Sequence, residues 1–126
     1  MKKYHAWLDI SAGKVISQPM QRILCHDYVK KINGKIIFEL GEDVEFKSYN
    51  LQFRKMISSK LKVDGFIFLG LEQFLYKSKL DIGLIKEVIS SKYELHFIRQ
   101  NFSILNMVNF KKNLQDLIIF SNLNKK

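Results

Sequence analysis

The chain has 126 residues, 47% of them hydrophobic and 13% aromatic, with 21 Lys and Arg against 12 Asp and Glu for a formal charge of +9. Ten Phe with many Ile and Leu fill one globular core without metal or disulfide staples, so a single domain over residues 1–126 is expected. Cys25 is the only cysteine, which excludes an intrachain disulfide and a multi-thiolate metal cage, and no metal site is expected.

The first element is YHAWLDI, residues 4–10, a short aromatic and apolar run that reads as a strand bounded by Ser11, Ala12 and Gly13. Asp9 interrupts this run too early for a signal-peptide core, and no later apolar run approaches about 18 residues. A cytoplasmic protein without a membrane span is the expectation. Ser17 then caps a helix with Pro19 in its first turn. Met20, Ile23, Leu24 and Tyr28 recur at three- and four-residue steps, which predicts that this face packs on the sheet while Arg22, His26 and Lys30 face water. Asn33-Gly34 ends the helix, with Gly34 suited to a left-handed cap.

KIIFEL, residues 35–40, is a second strand, followed by the acidic loop Gly41 to Glu45. From Ser48 the apolar residues Leu51, Phe53, Met56, Ile57 and Leu61 give a second helical period. VDGFIFLG, residues 63–70, does not alternate apolar with polar, the mark of a strand covered on both faces in a parallel sheet. A short helical segment is expected over Leu71 to Tyr76, and Asp81 caps a helix carrying Ile82, Ile85, Val88 and Ile89. YELHFI, residues 93–98, is a fourth strand, and Phe102 to Leu105 a short fifth. Asn106 caps a last helix with a stripe of Phe110, Leu114, Leu117 and Ile118.

Strands alternating with helices predict an α/β three-layer sandwich around a mainly parallel sheet of four or five strands, with right-handed crossovers. Such sheets bind ligands outside the carboxyl ends of their strands. One rim is therefore expected to collect Asp9 and Ser11, Glu39 and Glu42, Glu72 and Gln73, and His96, Arg99 and Gln100.

Each rim residue has a chemistry and a plainer reading. Ser11 sits just past the first strand, where a serine serves as a nucleophile if a base activates it, yet no GxSxG elbow surrounds it. His96 near Glu94 or Glu72 would shuttle protons at neutral pH, or else be a hydrogen-bonded core group; His5 and His26 read as surface residues. Glu42, Asp43 and Glu45 form a carboxylate cluster without EF-hand spacing. Arg99, at a strand end, is the better placed clamp for a phosphate, while Arg54 lies among apolar helix residues. Cys25 reads as packing. With only three arginines and dispersed lysines, the positive charge reads as solubility and argues against a nucleic-acid partner. No Walker loop and no GxGxxG occurs, and no cofactor is specified.

The order WLDIS, SQPMQRILCHDYVKKING, KIIFE, LQFRKMISS, VDGFIFLGLEQF resembles the catalytic domain of resolvase-type serine recombinases. Ser11 stands at the nucleophile position and Arg54 at one helical arginine. Asp9 stands where that family has a strand arginine, Glu72-Gln73 replaces its Asp-Arg pair, and Lys77 replaces the next arginine. The resemblance implies the fold, and the missing cations argue against recombination.

A fuller resemblance runs through CHDYVKKING, LGEDVEFKSYNLQFRKMI, DGFIFLGLEQF and ELHFI to the sporadic carbohydrate cluster protein family, small bacterial proteins of surface-polysaccharide and unusual-sugar gene clusters. The similar positions are Glu42, Gly65, Gln73, Glu94, His96 and Phe97; Arg99-Gln100 stands where that family usually has an acid, and Phe74-Leu75 where it has a proline. The resemblance implies a role in surface-carbohydrate biosynthesis with a phosphorylated or nucleotide-linked sugar as ligand. On that expectation His96 and Glu42 transfer protons, Glu72 and Gln73 bond sugar hydroxyls, Arg99 meets the anionic part, and Asp9 and Ser11 line the site. The alternative is a non-catalytic module, either a dimerising partner or a degenerate resolvase-like nucleic-acid binder.

Overall fold

The computed structural model describes residues 1–9, 16–42 and 50–123. In chain order these form β1 (Lys2–Asp9), α1 (Gln18–Lys31), β2 (Gly34–Glu42), α2 (Leu51–Ser58), β3 (Gly65–Phe68), a 3₁₀ turn (Leu71–Phe74), β4 (Leu75–Tyr76), β5 (Lys79–Leu80), α3 (Ile82–Ser90), β6 (Glu94–Phe97), β7 (Phe102–Ile104) and α4 (Met107–Leu123). Five strands make one sheet in the order β2-β1-β3-β6-β7, and β4 and β5 pair as a separate hairpin. The first four are mutually parallel, and β7 runs antiparallel to β6. The molecule is an α/β three-layer sandwich with a mostly parallel sheet, as the alternation of strands and helices predicts.

The side-chain period of two sorts each central strand between two cores. Phe66 and Phe68 of β3, with Trp7, Leu95 and Phe97 from the neighbouring strands, join Phe53 and Ile57 of α2, Ile85 and Val88 of α3, and Phe110 and Leu117 of α4. Ile67 goes the other way, with Tyr4, Ala6 and Leu8 of β1, onto Cys25 and Val29 of α1. Three helices thus cover one face and a single helix the other. Phe53 sits edge-on to the rings of Trp7, Phe66, Phe68 and Phe74, with centroids 4.9–5.7 Å away.

The caps were legible. Ser17 accepts from the Met20 N–H, Asp81 from the Leu84 N–H and Asn106 from the Asn109 N–H. The buried face of α1 was not. Met20 and Ile23 are 48% and 61% exposed, and the buried stripe is Gln21, Cys25 and Val29. Gln21 wins its place by hydrogen bonding: its amide accepts from the Asp9 N–H and donates to the carbonyls of Asp9 and Ile16, all at 2.9–3.0 Å. That clasp ties the helix start to the end of β1, and compact Cys25 and Val29 let the rest lie close. Burial pushes the Cys25 thiol up to about 12, so it is a packing group rather than a nucleophile.

Two further details differ from expectation. The left-handed residue after α1 is Asn33, with φ 58°, while Gly34 opens β2 in ordinary geometry. Glycine is required at 34 for space, since a Cβ there would lie 2.5 Å from the Tyr4 ring. His5, expected at the surface, is buried against the rings of Trp7, Phe38 and Phe66.

Candidate functional site

The segment ELHF forms a strand whose alternate residues face opposite ways, and this decides its chemistry. Leu95 and Phe97 enter the larger core. Glu94 and His96 therefore share the other face, beneath α1, and the His96 Nε2 lies 2.9 Å from Glu94 Oε1. From above, Tyr28 of α1 brings its hydroxyl 2.8 Å from His96 Nδ1. From β1, the Tyr4 hydroxyl donates to Glu94 Oε1 at 2.9 Å, and the Lys2 ammonium pairs with Oε2. Glycine at 65 lets β3 run against the start of β6, because a Cβ there would meet the Glu94 carbonyl oxygen at 2.5 Å.

The donors and acceptors fix the proton positions. An ionised carboxylate only accepts, so Nε2 carries the imidazole proton and donates it to Glu94, leaving Nδ1 to accept from the Tyr28 O–H. Burial lowers the His96 pKa below its ordinary value, and the Glu94 carboxylate offsets this only in part, so the ring is neutral at pH 7. For Glu94, burial works to raise the pKa, but hydrogen bonds from Lys2, His96 and Tyr4 outweigh it and hold the carboxyl below its usual range. Burial, with the nearby Glu94 charge, raises the Tyr28 phenol. The result is a line of hydrogen bonds, Tyr28 to His96 to Glu94, all pointing inward.

These shifts set a pH dependence. Unfolding returns His96 and His5 to an ordinary pKa of about 6.5, so below that value the unfolded chain binds more protons than the folded one. Glu94 acts in the same direction at lower pH, its contribution being full above the unfolded carboxylate value and lost as pH falls through its lower folded one. Urea midpoints are expected to be level at neutral and mildly alkaline pH and to fall progressively below about pH 6.5; a midpoint unchanged down to about pH 5 would contradict the burial of both imidazoles.

At the carboxyl edge, the turn after β3 and the turn after β6 lock together. Gln100 accepts from the Leu71 N–H at 2.9 Å and donates to Glu72 Oε1 at 2.8 Å. Arg99 lies 3.7 Å from the same carboxylate oxygen, and its side chain is 45% exposed. The contact is long for an ion pair, which leaves the guanidinium able to meet an anion. Residues 98–101 form the β6–β7 turn, and their side chains divide: Arg99 and Gln100 join Glu72, while Ile98 and Asn101 line a groove against α1.

The expected rim residues thus separate. Glu72, Arg99 and Gln100 come together. Gln73 does not join them, because it is 1% exposed and its amide accepts from the Leu69 and Gly70 N–H groups and donates to the Trp7 carbonyl. It holds the turn rather than offering itself to a sugar. Asp9 is buried at the end of β1, opposite Glu42 in register. Glu42 ends β2, its side chain lies outside the described part, and Ser11 lies outside the described residues. His96 shares a sheet row with Ile67, Ala6 and Glu39, so Glu42 is three strands and three residues away, roughly 17 Å at ordinary strand spacing and rise. The carboxylate that serves His96 is Glu94, two residues along its own strand, a spacing visible in the sequence. Tyr28, Tyr4 and Lys2 carry no such local signal, being brought in by the fold.

Among the described residues no group of three or more His, Cys, Asp or Glu is placed to hold a metal ion, and no helix is long and apolar enough to cross a membrane. No family model matches the sequence, and no curated protein matches it.

Proposed function

We propose that this protein serves surface-carbohydrate biosynthesis by binding, or acting on, a phosphorylated or nucleotide-linked sugar, with Arg99 at the anionic part and His96 as the proton-transfer group. The observation that carries this reading is the division of the β6–β7 turn, whose one continuous stretch of chain carries a half-exposed guanidinium and part of the wall of a groove that Tyr28, the hydrogen-bond partner of His96, also lines. The location agrees with the general habit of parallel sheets, whose ligands lie beyond the carboxyl ends of the strands. Glu72, a hydrogen-bond acceptor beside Arg99, is on this reading the group that meets a sugar hydroxyl. The ELHFI segment and its resemblance to carbohydrate-cluster proteins supply the biological context.

Calorimetric titration with glucose 1-phosphate and UDP-glucose tests the reading, alongside duplex DNA at about 50 and 200 mM salt. Arg99→Ala is expected to weaken sugar-phosphate binding about tenfold, the value of one charge-assisted contact. Binding of DNA alone, with a steep loss in salt, would replace the sugar reading. A second reading, a partner module that dimerises, is favoured by the exposed Val108, Ile119 and Leu123 on α4. Mass in solution decides it.

A further inference from the structure

We propose that the groove between α1 and the β6–β7 turn seats the reacting part of the ligand, and that Tyr28 touches it and passes its proton to His96. The inference rests on the sugar-phosphate reading above and narrows it to a carbonyl-bearing sugar phosphate. The groove has a volume of about 430 Å³, the size of an ordinary small-molecule site. Leu24, Ile32 and Ile98 give it apolar wall for the C–H face of a sugar, Asn101 and the Asp27–Lys31 ion pair give it polar wall, and Tyr28 is part of the same lining.

His96 itself is only 4% exposed, so its Nδ1 reaches the groove through the Tyr28 hydroxyl. An apolar pair at 94 and 96 would fasten α1 to the sheet without burying an ionised carboxylate and an imidazole. The hydrogen-bond polarity also gives the line a direction. Glu94 keeps the proton on Nε2, so Nδ1 is the basic nitrogen and it faces Tyr28.

In the step that follows, a ligand C–H next to a carbonyl gives its proton to the Tyr28 oxygen while the phenol proton moves to Nδ1. The electron pair of the broken C–H bond passes to the carbonyl oxygen as an enolate, and the imidazolium is held by Glu94 through Nε2–H. Running the transfer back delivers the proton to the same or the neighbouring carbon. Such an exchange or isomerisation balances with no oxidant, reductant or second substrate. Removal of an ordinary hydroxyl proton would lead nowhere without an electrophile, which is why the carbonyl compound is the class inferred. Glu94 acts through His96 and is a positioning residue; Tyr28 is the group in contact.

The test uses the full chain, with fructose 6-phosphate as the carbonyl probe and glucose 1-phosphate as the probe without a free carbonyl. Binding is followed by NMR on isotope-labelled protein in H₂O, and deuterium uptake by each probe is followed in a parallel sample in D₂O. The expected result is that fructose 6-phosphate shifts the Ile98 and Asn101 amides and the His96 ring, and takes up deuterium beside its carbonyl faster than without protein. Tyr28→Phe is expected to lower that uptake at least about 100-fold, the usual range of a proton-transfer group, while the amide shifts persist as evidence of folding and binding. Glu94→Gln is expected to move the pH profile of uptake while the same shifts remain. Shifts confined to Arg99 and Gln100 would overturn the inference and leave the binding reading standing. Uptake equal in wild type and Tyr28→Phe would overturn the relay. No shift with either probe would remove both.

Discussion

Replacing Phe53 with alanine is expected to be the most damaging single truncation in the larger core, costing about 4 kcal/mol of stability. The ring is fully buried and is the one that touches Trp7 of β1, Phe66 and Phe68 of β3 and Phe74 of the 3₁₀ turn together. Removing it leaves a hole bounded by four rings that cannot all collapse inward, because three of them are anchored in the sheet. For a domain of this size the loss corresponds to a drop in Tm of roughly 15 °C. Phe53→Leu, which keeps most of the volume, is expected to recover more than half of it. Thermal unfolding of the two variants beside wild type checks the order, and equal Tm values for all three would mean that α2 is not seated as described.

Glu94→Ala is the second large effect, and its origin is polar. The carboxylate takes hydrogen bonds from the Tyr4 hydroxyl and from His96 Nε2 in a buried place. Alanine leaves both donors without an acceptor, an expected loss of about 3 kcal/mol, whereas the partly exposed Lys2 turns to water. Glu94→Gln keeps a carbonyl oxygen for the same donors and is expected to lose about half as much. The alanine variant should lose only the acid sensitivity that belongs to the Glu94 carboxyl itself, because the lowered pKa values of His96 and His5 come from burial, and without the carboxylate nothing offsets that burial at His96. Urea titrations at two pH values measure both quantities, and a Glu94→Ala protein as stable as wild type would deny the network any structural weight.

What could be read in the sequence was what depends on neighbours along the chain. The Ser17, Asp81 and Asn106 caps are each set by a side chain three residues from its partner, so composition and spacing suffice. The unbroken apolar run GFIF announced a strand buried on both faces, and it lies between β1 and β6. The buried face of α1 departs from its apolar stripe because Gln21 has two backbone groups of Asp9 to bind, which no count of apolar residues contains. The same reason hid Gln73, a polar residue at the right edge whose amide faces inward. Of the site, Glu94 and His96 were legible as a pair two residues apart. The partner they lacked was Tyr28, separated by 68 residues and supplied only when the first crossover lays α1 over the sheet. An apolar-looking position on a helix stripe was in fact the phenol that completes a polar line.

The strand order has one more consequence, for how the chain is made. On the ribosome, β1 emerges before either of its sheet partners, yet it ends between them with Tyr4, Ala6, Trp7 and Leu8 all enclosed. β2 arrives after one helix, but the other flank of β1 stays open until residues 65–68 have been translated, and Tyr4 meets the Glu94 carboxylate only when β6 follows. A nascent chain of this order holds an aromatic, half-paired strand exposed until β3 has been made, which is the interval in which a chaperone has most to shield.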